Sequence, residues 1–305
     1  MLSYQHSFHA GNHADVLKHI TVCATLSKLV AKPKPFFYLD THAGSACYVI
    51  DDNPKNDKVV AKSVNCDEDS PEAVKHYYTI IQPFLSKFSY PGSPLVADGL
   101  LDLLIDANEN IAQVVSNSNL QLNELHPSAA ASLSKWMRPT DFNCHMRDAF
   151  EFLNASMPPK PNRGMVLIDP PYEQAKEYRQ VSEAVANAVK KWPSGVFCIW
   201  YPLLSPERID RRSGEVEASP KHELSEDMLL QFTDIAKAAK VGLLDIRFAY
   251  QSPSSEVGMY GSGMVIFSPP WQLEKSMQEV LLYLTQHLQL DTNKLSSLNW
   301  LAPAP

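Results

Sequence analysis

Met165-Val166-Leu167-Ile168-Asp169-Pro170-Pro171-Tyr172 is the stretch on which the reading of this chain turns. An apolar run without polar alternation suits a strand buried on both faces of a sheet. Here the run stops at an acid, two prolines and an aromatic. Open α/β sheets bind ligands at the carboxyl ends of their strands, and this strand end suits a ligand with an exocyclic amine on a planar ring. The prolines remove backbone donors and stiffen the turn, so carbonyls face a pocket as acceptors. Asp169 and the Pro170 carbonyl then accept both amino hydrogens, localising a nitrogen lone pair otherwise spread into the ring. Tyr172 is expected to stack on a base that has left its helix. Asp169 takes the surplus proton after in-line attack on a sulfonium methyl. A plain strand-ending turn would use the same residue types, and the position at a strand's carboxyl end favours the functional reading.

Outward from this strand, further strands are expected at 36–40, 120–124, 142–146, 196–201, 243–250 and 263–268. An amphipathic helix is expected from 13 to 32, where Val16, Leu17, Ile20, Cys23, Ala24 and Val30 recur at helical spacing before Pro33 and Pro35. Other helices are expected at 93–107, 126–137 and 172–192. Alternating strands and helices predict a doubly wound α/β sheet. The whole chain, 1–305, reads as one domain, interrupted at 48–91 by a helical insertion carrying Val74, Tyr77, Ile81, Phe84 and Phe88. Residues 205–223 read as a charged loop, and the tail from Asp291 as peripheral. A second strand-Pro-Pro-aromatic run, Phe267-Ser268-Pro269-Pro270-Trp271, offers no carboxylate acceptor, and Trp271 is expected to pack in the core.

The other strand ends carry a candidate cofactor site. Asp40-Thr41-His42-Ala43-Gly44-Ser45 gives small residues where backbone must approach a ligand closely. Glu124 is placed like the acid that grips ribose hydroxyls in nucleotide-binding folds, and Asp148 is placed to accept from an adenine amine. In Tyr90-Pro91-Gly92-Ser93-Pro94, Ser93 is expected to cap a helix whose N-terminus favours a carboxylate. Tyr4, His6, His9, His13, Lys18 and His19 form a basic, aromatic cluster, and no carboxylate or cysteine completes a metal set there, so no metal is expected.

Bulk properties bound the rest. A formal charge of -7 over 305 residues makes the whole molecule a poor electrostatic partner for nucleic acid, leaving that role to local basic patches. Five scattered cysteines read as reduced thiols. No stretch reads as a signal peptide or a membrane span, which predicts a cytoplasmic location.

The motifs MLSYQHSFHAGNHADVLKH, YLDTHAG, YPGSP, ELHP, LIDPPY, WYP and SGM occur in this order along the chain. Together they resemble the bacterial RlmJ family, which methylates an adenine N6 in 23S ribosomal RNA. The resemblance implies a class I, Rossmann-like methyltransferase fold with an inserted helical subdomain. It also implies S-adenosyl-L-methionine (AdoMet) as cofactor and a monomer acting on 23S ribosomal RNA before full ribosome assembly. Position by position it points to Lys18, His19, His42, Ser93, Glu124, Asp148, Ala149 and Asp169 for the cofactor. Asp169, Pro170 and Tyr172 are implied for catalysis, and Tyr4, His6 and Lys18 for RNA. The family's Gly-x-Gly loop reads Gly44-Ser45-Ala46 here, and Ala149 stands where a glycine is common. By residue chemistry alone, a DNA adenine-N6 methyltransferase fits as well, and an inactive RNA-binding module keeping the fold is the reading from a different class.

Overall fold

The structure is a computed structural model that describes residues 9–50, 59–137, 141–210, 212–290 and 295–303. Helix α1 (His13–Val30) starts at Asn12, whose side chain accepts from the amides of Ala14 and Asp15 and satisfies two otherwise free donors. Strand β1 (Phe37–Asp40) follows, every residue buried, and β2 (Cys47–Val49) leaves the sheet. A 3-10 turn (Val60–Ser63) and α2 (Glu72–Leu85) come next, and β3 (Ser89–Pro91) pairs antiparallel with β2. This two-stranded ribbon forms a neck flanking the segment that holds the 3-10 turn and α2. Val74, Tyr77 and Ile81 of α2 are buried at helical spacing, as their period predicts.

Beyond the neck lie α3 (Ser93–Ala107), α4 (Asn110–Ser116) and β4 (Asn119–Asn123), then α5 (Pro127–Trp136), β5 (Asn143–His145) and α6 (Ala149–Ala155). Strand β6 (Gly164–Ile168), fully buried, leads to α7 (Ala175–Lys191) and β7 (Val196–Leu204). The predicted charged loop instead holds a hairpin of β8 (Glu207–Ile209) and β9 (Val216–Ala218) and the start of α8 (Pro220–Ala239). Strands β10 (Leu243–Ala249) and β11 (Met259–Phe267), α9 (Leu273–His287) and β12 (Ser297–Ala302) complete the order.

Eight strands form one sheet in the order β12-β10-β11-β7-β6-β1-β4-β5. Strands β5, β4, β1, β6 and β7 run parallel, while β11 is antiparallel to β7 and β10, and β12 is antiparallel to β10. The chain builds outward from β1 through β4 to β5, then returns to β6 and builds the other way. Between β1 and β6 the order reverses, and the carboxyl ends there part to leave a crevice.

Three further expectations are corrected. Helix α1 is not amphipathic: all its residues except Ser27 and Lys28 are buried, because the sheet, α2, α3 and α9 surround it. The tail is not peripheral, since β12 pairs with β10 and buries Ala302. Trp271 is 85% exposed rather than in the core. The antiparallel direction of β11 carries Ser268 and Trp271 to the pole opposite the crevice, away from any role beside Asp169.

Candidate active site

A cavity of about 1040 Å³ opens at the carboxyl ends of β1, β4 and β6. Its walls include Lys18, His42, Gly44, Ser93, Glu124, Asp148, Ala149, Asp169, Pro170 and Tyr172. Nearly all the sequence-predicted site residues therefore meet in one place, from six segments of chain. Tyr4 and His6 lie outside the described residues.

Lys18 is the electrostatic hinge of the site. Its ammonium lies 2.5 Å from Asp169 Oδ2 and 2.9 Å from Asp15 Oδ1, with only 5% of the side chain exposed. Burial works against the charge, but the two carboxylates outweigh it and hold the lysine well above its ordinary range. Among the described residues Asp169 Oδ1 makes no hydrogen bond. Behind Lys18, His19 is fully buried, its Nδ1 2.8 Å from the Tyr90 hydroxyl and its ring stacked on Tyr90. Tyr90 in turn meets Tyr77 of α2 at 3.0 Å. His19 thus ties α1 to β3 as well as lining the cavity.

Tyr172 sits at φ +49°, in the left-handed region, and the residue is 3% exposed. Its hydroxyl donates to the Trp200 carbonyl at 3.1 Å and approaches the Met228 sulfur at 3.6 Å. The ring packs against Tyr178 and Trp200. The aromatic is thus fixed by β7, α7 and α8, and it contributes to the cavity wall from a buried position.

On the other side of the crevice, Glu124 accepts from the Gly44 amide through Oε2 and from the His126 amide through Oε1. Gly44 has φ +63°, and a Cβ there would lie 2.0 Å from the Tyr48 hydroxyl, so both conformation and space call for glycine. Ala46 adopts φ +65°, the left-handed conformation that glycine takes without strain. Asp148 caps α6, accepting from the amides of Phe150 and Glu151 through Oδ1, with Ala149 buried in the first turn. His42 stands edge-on to Phe150, and burial lowers its pKa to about 4, so the ring is neutral. Ser93 does not cap α3. Gly92 occupies that position, and the Ser93 hydroxyl donates to Asp40 Oδ2 at 2.6 Å.

Asp40 is the residue whose weight sequence reasoning missed. Completely buried, it also accepts from the His42 amide, and so fixes the β1 loop and the start of α3 together. Lys221 and Trp200 of the cavity wall were missed too. The WYP motif held a signal for Trp200, whereas Lys221 lies in a segment with no motif.

The lining suits the cofactor chemically. Glu124 and Asp148 offer acceptors for hydroxyl and amine donors, the β1 loop lets backbone come close, and surrounding carboxylates favour a cationic sulfonium. Fold and site define an AdoMet-dependent methyltransferase with the class I, Rossmann-like fold. A family model described as "Ribosomal RNA large subunit methyltransferase D, RlmJ" matches residues 33–302. The "Ribosomal RNA large subunit methyltransferase J" of Escherichia coli (strain K12) is 34% identical over 312 residues, spanning 99% of this chain and 100% of that protein. The protein of the same name from Haemophilus influenzae is 35% identical with the same coverage. The crystal structure of protein LPL1258 from Legionella pneumophila is similar, with a TM-score of 0.74, 30% identity, and coverage of 96% of this chain and 97% of that one. The chain belongs to the RlmJ family. Among the described residues no helix is long and apolar enough to cross a membrane.

Proposed function

We propose that the chain methylates N6 of a specific adenine in 23S ribosomal RNA, acting as a single-domain monomer in the cytoplasm, on RNA not yet covered by ribosomal proteins. The observation that carries this is the Asp169-Pro170-Pro171 turn opening into the same cavity as Glu124, Asp148 and the Lys18 ammonium. AdoMet supplies an electrophilic methyl group on a positively charged sulfur. Glu124 holds its ribose, Asp148 and Ala149 its adenine, and Ser93, His42, His19 and Lys18 the amino-acid half and the walls around it.

Asp169 Oδ1 and the Pro170 carbonyl accept the two amino hydrogens of the target adenine, drawing them out of the ring plane. Lys18 already occupies Asp169 Oδ2, so the carboxylate presents one oxygen in one orientation. After transfer, Asp169 takes the surplus proton. Tyr172 walls the base pocket, and Tyr4 and His6 are the RNA contacts from the amino-terminal segment, while Lys18, buried and paired with two carboxylates, orients Asp169 rather than meeting the RNA.

The test is methylation with labelled AdoMet on deproteinised 23S ribosomal RNA, on assembled large subunits and on DNA. Deproteinised RNA is expected to be the substrate, with label in N6-methyladenine. Asp169→Ala is expected to lose turnover by roughly a hundredfold or more while its far-UV spectrum and melting temperature persist. A folded Asp169→Ala protein with near wild-type rate would overturn the assignment, and preferential labelling of DNA would move it to the DNA enzyme.

A further inference from the structure

Lys221 lies in the first turn of α8, on a segment with no recognisable motif, and its side chain reaches the mouth of the cavity. Its ammonium donates to the carbonyl of Tyr172 at 3.0 Å, the residue that closes the base-receiving turn. The helix start is held in place: His222 Nδ1 lies 2.9 Å from the Leu204 carbonyl, and the Ser219 amide donates to the Pro206 carbonyl at 2.8 Å. An ammonium has three N–H donors and the Tyr172 carbonyl takes one. No carboxylate of the described residues forms an ion pair with it, and the residue is exposed. Lys18 is the contrasting case, buried and neutralised by two carboxylates.

A base that enters the pocket beside Tyr172 must leave its own phosphates at the mouth, because a polyanionic backbone gains nothing from burial. On a chain of net charge -7, attraction for that backbone has to come from a local cation already in position. We infer that Lys221 is a substrate contact that binds a phosphate flanking the flipped adenine while bracing the Tyr172 carbonyl. The inference rests on the reading of the Asp169–Tyr172 turn as the base-receiving site.

The test is binding and turnover of a 23S ribosomal RNA fragment by Lys221→Gln and Lys221→Arg across a range of KCl concentrations, with Lys34→Gln, an exposed lysine at the opposite pole, as control. Glutamine keeps N–H donors that can turn to the Tyr172 carbonyl, on a side chain one atom shorter, and removes the charge. For Lys221→Gln, the slope of log affinity against log salt is expected to fall by about 0.7 to 0.9. Its KM for RNA is expected to rise roughly tenfold, with kcat and AdoMet affinity near wild type. Lys221→Arg should restore the slope, and Lys34→Gln should leave it unchanged. A Lys221→Gln slope and KM equal to wild type would overturn the inference. So would a fall in kcat alone, which would leave Lys221 only its bond to Tyr172. Failure of the underlying site reading shows separately, as normal turnover by Asp169→Ala.

Discussion

Asp40 shows how a single buried acid couples the site to pH. Burial pushes its carboxyl up to about 7, although hydrogen bonds from Ser93 and from the His42 amide, and the Lys18 charge, work the other way. In the unfolded chain the group titrates near its ordinary value of about 4. The folded state therefore binds more protons between those values. Asp40's contribution to stability is fully present below about pH 4, is lost as pH rises to about 7, and is constant above. Asp40→Asn mimics the protonated form, since its amide can donate to the Ser93 oxygen while its carbonyl accepts from the His42 amide. Urea unfolding at pH 5 and pH 8 should show the variant gaining on the wild type as pH rises, by on the order of 1 kcal/mol per unit. A difference independent of pH would mean that Asp40 titrates as an ordinary surface acid.

Strands β7 and β11 explain two motifs that had no assigned task. Gly263 pairs with Tyr201, and a Cβ on Gly263 would come within 2.1 Å of the tyrosine ring. The glycine leaves room for that ring to lie across the strand and for its hydroxyl to donate to Asp245 at 2.6 Å, which also binds Arg247. Gly263→Ala is therefore expected to destabilise the fold by about 1 to 3 kcal/mol through overpacking, with a lowered melting temperature. The elements legible in the sequence were those whose burial is written locally. Strands β1, β6 and β7 are apolar runs because both faces are covered, and Asp169 is conspicuous because it ends one of them. By residue chemistry alone Lys18 was legible only as part of a basic cluster, and the resemblance pointed to it without a reason, because the Asp169 carboxylate it pairs with is 151 residues away. The inward set of Tyr172 depends on Trp200 and Met228, which no local pattern announces. Helix α8 is hidden behind a charged stretch, although Met228, Leu229, Phe232 and Ala236 repeat at helical spacing.

At the scale of the molecule, β12 covers the outer edge of β10 along Leu243–Arg247. A chain ending at Leu295 would leave the backbone donors and acceptors of β10 unpaired at an open edge, which invites pairing with another copy. Such a truncation is expected to lower the melting temperature and to associate at high concentration, as light scattering would show. A truncated protein that stays monomeric and equally stable would mean that α9 and α8 guard that edge without it. The first helix depends on the far end of the chain in the same way. His13 stacks on Tyr250 and lies 3.2 Å from the Ser262 hydroxyl across a separation of 249 residues. Synthesis runs from the amino terminus, so α1 emerges from the ribosome long before β11 exists to receive it. Lys18 and Asp15 wait with it in an unburied, hydrated state where their pairing is weak, and Asp169 follows 151 residues later. The proposed site therefore has its first helix seated only once the segment carrying Tyr250 and Ser262 has been translated.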